Sequence, residues 1–397
     1  MTSKVGKTAI VVGAGMAGLS AAAALADRFA EVLVLDRDTL PEDASWRMGA
    51  GQGAHLHQLL KAGEQSLEKL LPGITKDFYT AGAVDMLVGR DVKVFDFGGW
   101  MDECDAGFSV TSLSRPVYEG VLRKRVAALP GVTIRHETDV ARLAVENGVC
   151  TGVELSDGAK LSANLVVDAS GMNGPMMAQL VEDGHAAFET EHVKINVAYT
   201  TARFRKPDKY KGEQTGYFFL PAPPGKAFGF ILAVSEVKTF RKPTATRRKI
   251  WEAAKWPDNL LPFGDTLSSV NPTYGQGMTV AAVEAEALAG MLDARGANGA
   301  GLGGLAKEYL TAAADISGRA WSLSVNSDYV YPETEGERPA TYAMNRALAS
   351  TLRKLADEDL EFRVARYRLV HMVDPASALR EGPLALRFFT ALQGSMS

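Results

Sequence analysis

Cysteine is nearly absent: Cys104 and Cys150 are the two in 397 residues. They cannot build a disulfide framework and their spacing suits no metal site, so a reducing, cytoplasmic setting is expected. Positive charge is not in excess, with 43 Lys and Arg against 47 Asp and Glu and a net charge of -4. With no long basic run, nucleic acid is not an expected partner. No uninterrupted apolar run approaches the ~18–20 residues of a membrane span. Met1-Thr2-Ser3-Lys4 leads almost straight into an apolar stretch, leaving no room for a signal peptide. Internal repeats are also lacking. The chain is longer than one typical core, which points to two intimately joined domains.

What is present begins at residue 8. Thr8-Ala9-Ile10-Val11-Val12 reads as a buried strand. Gly13-Ala14-Gly15-Met16-Ala17-Gly18 reads as a turn, and the Ala-rich Leu19–Leu25 as a helix. Val32-Leu33-Val34-Leu35 is a second strand that ends on Asp36. This arrangement of strand, glycine turn, helix, strand and acid binds a dinucleotide. Gly13 allows the tight turn, Gly15 lets backbone approach a pyrophosphate, and Gly18 lets helix and strand pack closely. The helix start offers free N–H groups and a positive dipole end to the phosphates.

Further along, Arg47 to Gly53 is glycine-rich, and His55-Leu56-His57-Gln58-Leu59-Leu60 opens a helix running to about Leu71. His55 and His57 are two apart and do not share a helical face, so a metal pair is not expected. Residues 84–113 read as short strands. Ser114-Arg115-Pro116 starts a helix, and Val149–Leu155 with Leu161–Val167 reads as a hairpin ending in Asp168-Ala169-Ser170-Gly171. Between about 194 and 237, Ile195, Val197 and Tyr199, then Phe218 and Leu220, then Phe228, Phe230 and Leu232 alternate with other residues. They suggest a sheet with an aromatic-rich face, which serves equally as core or as the wall of an apolar pocket.

The second signal is Gly264-Asp265, Asn271-Pro272 and Gly275-Gln276-Gly277-Met278, followed by a long helix from about Thr279 to Leu292. An Asp at a strand end can hold the ribityl hydroxyls of a flavin. Glycines at a helix start let backbone N–H groups face the flavin's pyrimidine edge, where the positive helix end stabilises an anion. A simple nicotinamide dehydrogenase does not need this second site; a bound FAD does.

By these motifs the chain resembles the FAD-dependent monooxygenases of the para-hydroxybenzoate hydroxylase-like group. It is most similar to the bacterial subset with an Arg-x-Gly-x-x-Gln-x-x-His-x-His segment, here Arg47 to His57, which includes polyether epoxidases. The resemblance implies an α/β fold: a Rossmann-type FAD-binding domain, an interleaved β-sheet substrate domain and a helical C-terminal tail. Expected boundaries are 1–80, 114–183 and 256–330 for the FAD-binding parts, 81–113 and 184–255 for the substrate domain, and 331–397 for the tail. Relatives usually carry several tens more residues after Phe228–Val234, so the substrate domain is expected to be shortened. They also usually place an arginine where this chain has Met172-Asn173-Gly174-Pro175.

The resemblance further implies roles. Gly13, Gly15, Met16, Ala17 and Gly18 would hold the pyrophosphate and Asp36 the adenosine ribose. Arg37, Arg47 and Arg115 would lie along the cofactor, and Val140 by the adenine. Asp265 would face the ribityl chain, and Gly275, Gly277 and Met278 the flavin ring. The implied reaction uses NAD(P)H, FAD and O2, through a flavin hydroperoxide, to hydroxylate or epoxidise an apolar or aromatic small molecule. His55, His57 and Tyr199 are the candidate catalytic groups. Two alternatives share the framework: a reductase of isoprenoid double bonds, and a flavin-binding protein without turnover. The tail could roof the substrate domain or lie on a membrane face, with packing expected. A second subunit could also cover the pocket, as a homodimer.

Overall fold

The computed structural model describes residues 4–43, 45–47, 49, 53, 55, 57–96, 99–201, 216–220, 225, 229–231, 238–375 and 377–396. The chain opens with β1 (Gly6–Val12), α1 (Met16–Ala26) and β2 (Phe29–Leu35), followed by α2 (Lys61–Leu70) and α3 (Ile74–Thr80). Then come β3 (Val84–Leu87), β4 (Val92–Asp96), β5 (Gly99–Trp100), β6 (Ser109–Ser112), α4 (Arg115–Ala127) and β7 (Val132–Arg135). The centre holds β8 (Val140–Glu146), β9 (Val149–Leu155), β10 (Lys160–Ser162), β11 (Leu165–Asp168) and α5 (Met176–Glu182). Next are β12 (Thr190–Thr201), β13 (Gly216–Phe219), β14 (Gly229–Ile231), β15 (Lys238–Arg248), β16 (Leu260–Pro262) and β17 (Ser268–Ser269). Two long helices follow, α6 (Gly277–Asn298) and α7 (Leu305–Asp328). The tail is α8 (Tyr342–Glu358), α9 (Leu360–Val370), α10 (Ala378–Glu381) and α11 (Ala385–Met396).

The organising sheet is parallel, in the order β16-β11-β1-β2-β7. Its strands are short and apolar because both faces are covered, as parallel sheets require. Helix α1 has no charged residue and is buried nearly all round. An all-apolar helix is stable only inside a core, and α1 packs against the sheet, α4 and α6. Asp36, Asp168 and Asp265 all lie at or just beyond the carboxyl ends of β2, β11 and β16, where open α/β sheets bind ligands.

The second region is built on antiparallel β12, β15 and β17, and on a sheet in the order β14-β13-β4-β5. Phe95, Trp100, Tyr217 and Phe219 cluster there, with ring centroids 5.3–6.1 Å apart. Phe228 and Leu232, expected on this face, lie outside the described residues, as do the side chains of Tyr199 and Phe230.

Three local expectations are corrected. The helix expected from His55 starts at Lys61, because Leu60 is extended and its N–H donates to the Thr279 hydroxyl at 3.0 Å. The expected strand Leu161–Val167 is two strands. Asn164 breaks it by accepting from the Lys7 and Thr8 N–H groups at 2.8 and 3.0 Å, which turns the chain from the β9 hairpin into the parallel sheet. Asp265 sits beyond its strand, in a 3-10 turn opened by Gly264 at φ +57°.

The tail packs on this second region. Asp96 of β4 is 3% exposed and pairs with Arg353 of α8 at 3.0 Å and Arg366 of α9 at 2.8 Å. Phe362, Leu379 and Phe388 give the tail a small core of its own. Among the described residues, no helix is long and apolar enough to cross a membrane.

Candidate cofactor and active site

The first glycine turn is shaped by what its glycines exclude. A Cβ on Gly13, at φ +100°, would meet the Ala169 carbonyl at 2.5 Å, and one on Gly18 would meet the Gly13 carbonyl at 1.8 Å. Both positions must stay bare for the turn to close. Above Gly15, by contrast, the nearest atom is Arg47 Nη2 at 3.7 Å. Gly15 is the α1 N-cap and, among the described residues, no side chain caps the helix. The Met16 and Ala17 end of the helix therefore keeps its positive pole and free N–H groups for an anion. This is the cradle a pyrophosphate needs, and the residues fit the dinucleotide.

Asp36 closes the turn from β2. Its carboxylate accepts from Ala14 N–H at 2.6 Å and from Asp38 N–H at 2.9 Å. Arg47 gathers three carboxylates, with contacts of 3.3 Å to Asp36, 2.7 Å to Asp38 and 2.8 Å to Glu119. Glu119 also accepts from Arg115 Nε at 3.2 Å, one helical turn away on α4. A shallow, open cleft lies here, lined by Trp46, Arg47, Gly53, Arg115, Glu119 and Arg123. Arg37 is exposed beside Asp36, and Val140 is buried at the start of β8.

The second turn comes to the same end of the sheet. A Cβ on Gly264 would lie 2.8 Å from the Ala17 Cβ, so the turn bearing Asp265 rests on the first turn of α1. Asn271 accepts from Thr273 N–H at 3.0 Å and Gly275 takes φ +67°, which together launch α6. Gly277 begins that helix, and its missing Cβ would be 3.8 Å from Asp265 Oδ1. Among the described residues nothing crowds Gly275, and Met278 is buried just behind.

His55 is buried and its Nδ1 pairs with the Thr201 hydroxyl at 2.8 Å, tying the loop to β12. His57 Nδ1 pairs with the His55 carbonyl at 3.0 Å. Burial, then the charge of Arg115, pushes His57 down to about 3, so it is neutral at pH 7. Tyr199 is placed by its backbone pairing with Phe240 on β15.

Sequence reasoning missed three groups, of which Glu284 and Lys242 are buried and Arg248 is half-buried. Glu284 of α6 accepts from Gly264 N–H at 2.9 Å, while its other oxygen has no hydrogen-bond partner among the described residues. Complete burial pushes this carboxyl up to about 8. Arg248 of β15 donates to the Thr266 and Met172 carbonyls at 2.5 and 2.8 Å. Lys242 of the same strand is 3% exposed. The one local signal was polarity out of pattern: a Glu on an Ala-rich helix, and Lys and Arg on a half-buried strand.

Residues 8–206, half of the chain, match the family model described as Glucose inhibited division protein A, and the chain belongs to that family. Protein Rv3254 of Mycobacterium tuberculosis is 29% identical over 403 residues, which cover 85% of this chain and 84% of that one. The fold is shared with 2-methyl-3-hydroxypyridine-5-carboxylic acid oxygenase in a tetrameric form (TM-score 0.62, 17% identity, 86% of this chain and 92% of that one). The flavin-dependent brominase Bmp2 shares it too (TM-score 0.60, 13% identity, 98% of this chain and 99% of that one). So does PqsL of P. aeruginosa in complex with 2-aminobenzoylacetate (TM-score 0.57, 14% identity, 91% and 99%). Fold and family together place the chain among the FAD-dependent oxidoreductases.

Proposed function

We propose that this chain is an FAD-dependent monooxygenase that uses NAD(P)H and O2 to hydroxylate or epoxidise an apolar or aromatic small molecule of secondary metabolism. The observation that carries the reading is the contact of Gly264 with Ala17, which brings two glycine turns from distant parts of the chain to one sheet end. A mononucleotide would need one turn; an extended FAD uses both.

When bound, FAD supplies the redox chemistry, taking electrons from NAD(P)H and handing an oxygen atom of O2 to the substrate. The chain's own residues bind and aim. Gly13, Gly15, Met16, Ala17 and Gly18 would face the pyrophosphate, Asp36 and Arg37 the adenosine ribose side, and Val140 the adenine. Arg47 and Arg115, held by Glu119, would line the cofactor's length. Asp265 would accept from ribityl hydroxyls, with Gly275, Gly277 and Met278 against the ring. The neutral His57 is suited to hydrogen bonding rather than to carrying charge. The aromatic group around Trp100 supports an apolar or aromatic substrate, as in the subset that includes polyether epoxidases.

The test is NAD(P)H consumption by the purified FAD-loaded chain, with and without aromatic and polyene substrates, and with peroxide measured in parallel. Substrate-stimulated consumption with an oxygenated product is expected. A chain that purifies colourless and takes up no added FAD overturns the reading.

A further inference from the structure

Lys242 has an unusual set of neighbours. Its ammonium is buried, yet it donates to the Ser269 hydroxyl and the Met172 sulfur, the latter at 3.4 Å. Among the described residues no carboxylate lies within 4 Å of its Nζ. An ammonium taken out of water and held by a hydroxyl and a thioether is an incomplete ion site.

Its neighbours also say where it lies. Ser269 belongs to the segment running from Asp265 to the Gly275–Gly277 turn. Met172 follows Gly171, in the turn after Asp168. That turn, Met172-Asn173-Gly174-Pro175, contains no charged residue of its own. Arg248, six residues along the same strand, donates to the Met172 carbonyl at 2.8 Å and so fixes this turn from the other side. Burial pushes the Lys242 ammonium down while the charge of Asp265 pulls it back up. Asp265 in turn adjoins Gly277 at the α6 N-terminus.

We propose that Lys242 is the fixed positive charge that the substrate sheet holds against the reduced flavin. The proposal rests on the FAD reading above. A hydride donor delivers two electrons and one proton, so the flavin gains one negative charge unless a second proton follows. A cation already fixed in a low-dielectric wall stabilises the charge that reduction creates, without reorganising. Ser269 and Met172 orient the Nζ, and Arg248 holds Met172 in place.

The test is the two-electron reduction potential of the FAD-loaded full chain, measured anaerobically against a reference dye. K242M keeps the length and removes the charge; K242R keeps the charge. For K242M the bound flavin is expected to favour the oxidised form about tenfold more than in the unaltered chain, a fall of about 30 mV. K242R is expected to stay within about threefold. An unchanged potential in K242M overturns the inference alone, whereas an unaltered chain that binds no FAD removes the functional reading itself. If K242M does not retain FAD, S269A decides: a fall in potential supports the role, and no fall overturns it.

Discussion

Gly264 stands directly against Ala17, so close that a Cβ on Gly264 would lie 2.8 Å from the Ala17 Cβ. The two glycine turns of the proposed cofactor site are held together by the absence of a side chain. Substituting Gly264→Ala adds that clash to a backbone at φ +57°. The expected cost is about 1–3 kcal/mol of stability, together with weakened FAD binding. Urea unfolding and flavin fluorescence titration measure the two effects.

Gly15→Ala is expected to separate them. Its Cβ would meet nothing closer than 3.7 Å, at φ -80°. The fold should keep its stability within about 0.5 kcal/mol. FAD affinity should fall, because the added methyl occupies the space over the helix start. Equal losses of stability and affinity would show that Gly15 serves packing alone.

Glu284 sets a pH dependence on the alkaline side. Its carboxyl is pushed up from 4.5 to about 8 by burial. The folded state thus binds a proton that the unfolded state releases. The stability this contributes is present in full below about 4.5 and is lost as pH rises through about 8. Urea midpoints are expected to fall from pH 5 to pH 8. Glu284→Gln keeps an acceptor for Gly264 N–H and should flatten that slope.

His57 and His371, the buried residue that closes α9, act in the opposite direction. Burial is the main cause that lowers them, to about 3 and about 4 from 6.5. Both stay neutral in the fold while the unfolded chain takes up protons. Their contribution is present above 6.5 and is lost as pH falls toward 4 and 3. His57→Asn should reduce acid lability. It should also leave the pH–rate profile of NAD(P)H consumption without a change near 6.5.

Asp96 clamps the tail through Arg353 and Arg366. Asp96→Ala leaves two cations facing a pocket without its anion, at a cost of about 3 kcal/mol. Limited proteolysis is expected to cut the segment from 339 onward faster in this variant, before the parallel-sheet core is touched. Cleavage at the unaltered rate would show that the apolar tail contacts suffice alone.

Much of the fold was legible because its signals are local. The strand, glycine turn and helix from Thr8 to Leu25 need only short-range spacing, as does the acid at the end of β2. The second turn, Gly264 to Met278, was legible for the same reason. Other features were hidden. The break at Asn164 depends on Lys7 and Thr8, on a neighbouring strand. The start of α2 at Lys61 depends on the Thr279 hydroxyl. Glu284, Arg248 and Lys242 carry no motif; each matters through what is packed against it.

The sequence by itself determined the parallel α/β scaffold and its two glycine turns, because turn chemistry and apolar periodicity act over a few residues. The tertiary structure decided which distant groups meet: Gly264 with Ala17, Asp96 with Arg353 and Arg366, Lys242 with Ser269 and Met172. Those meetings follow from burial and charge pairing between surfaces, which no local spacing encodes.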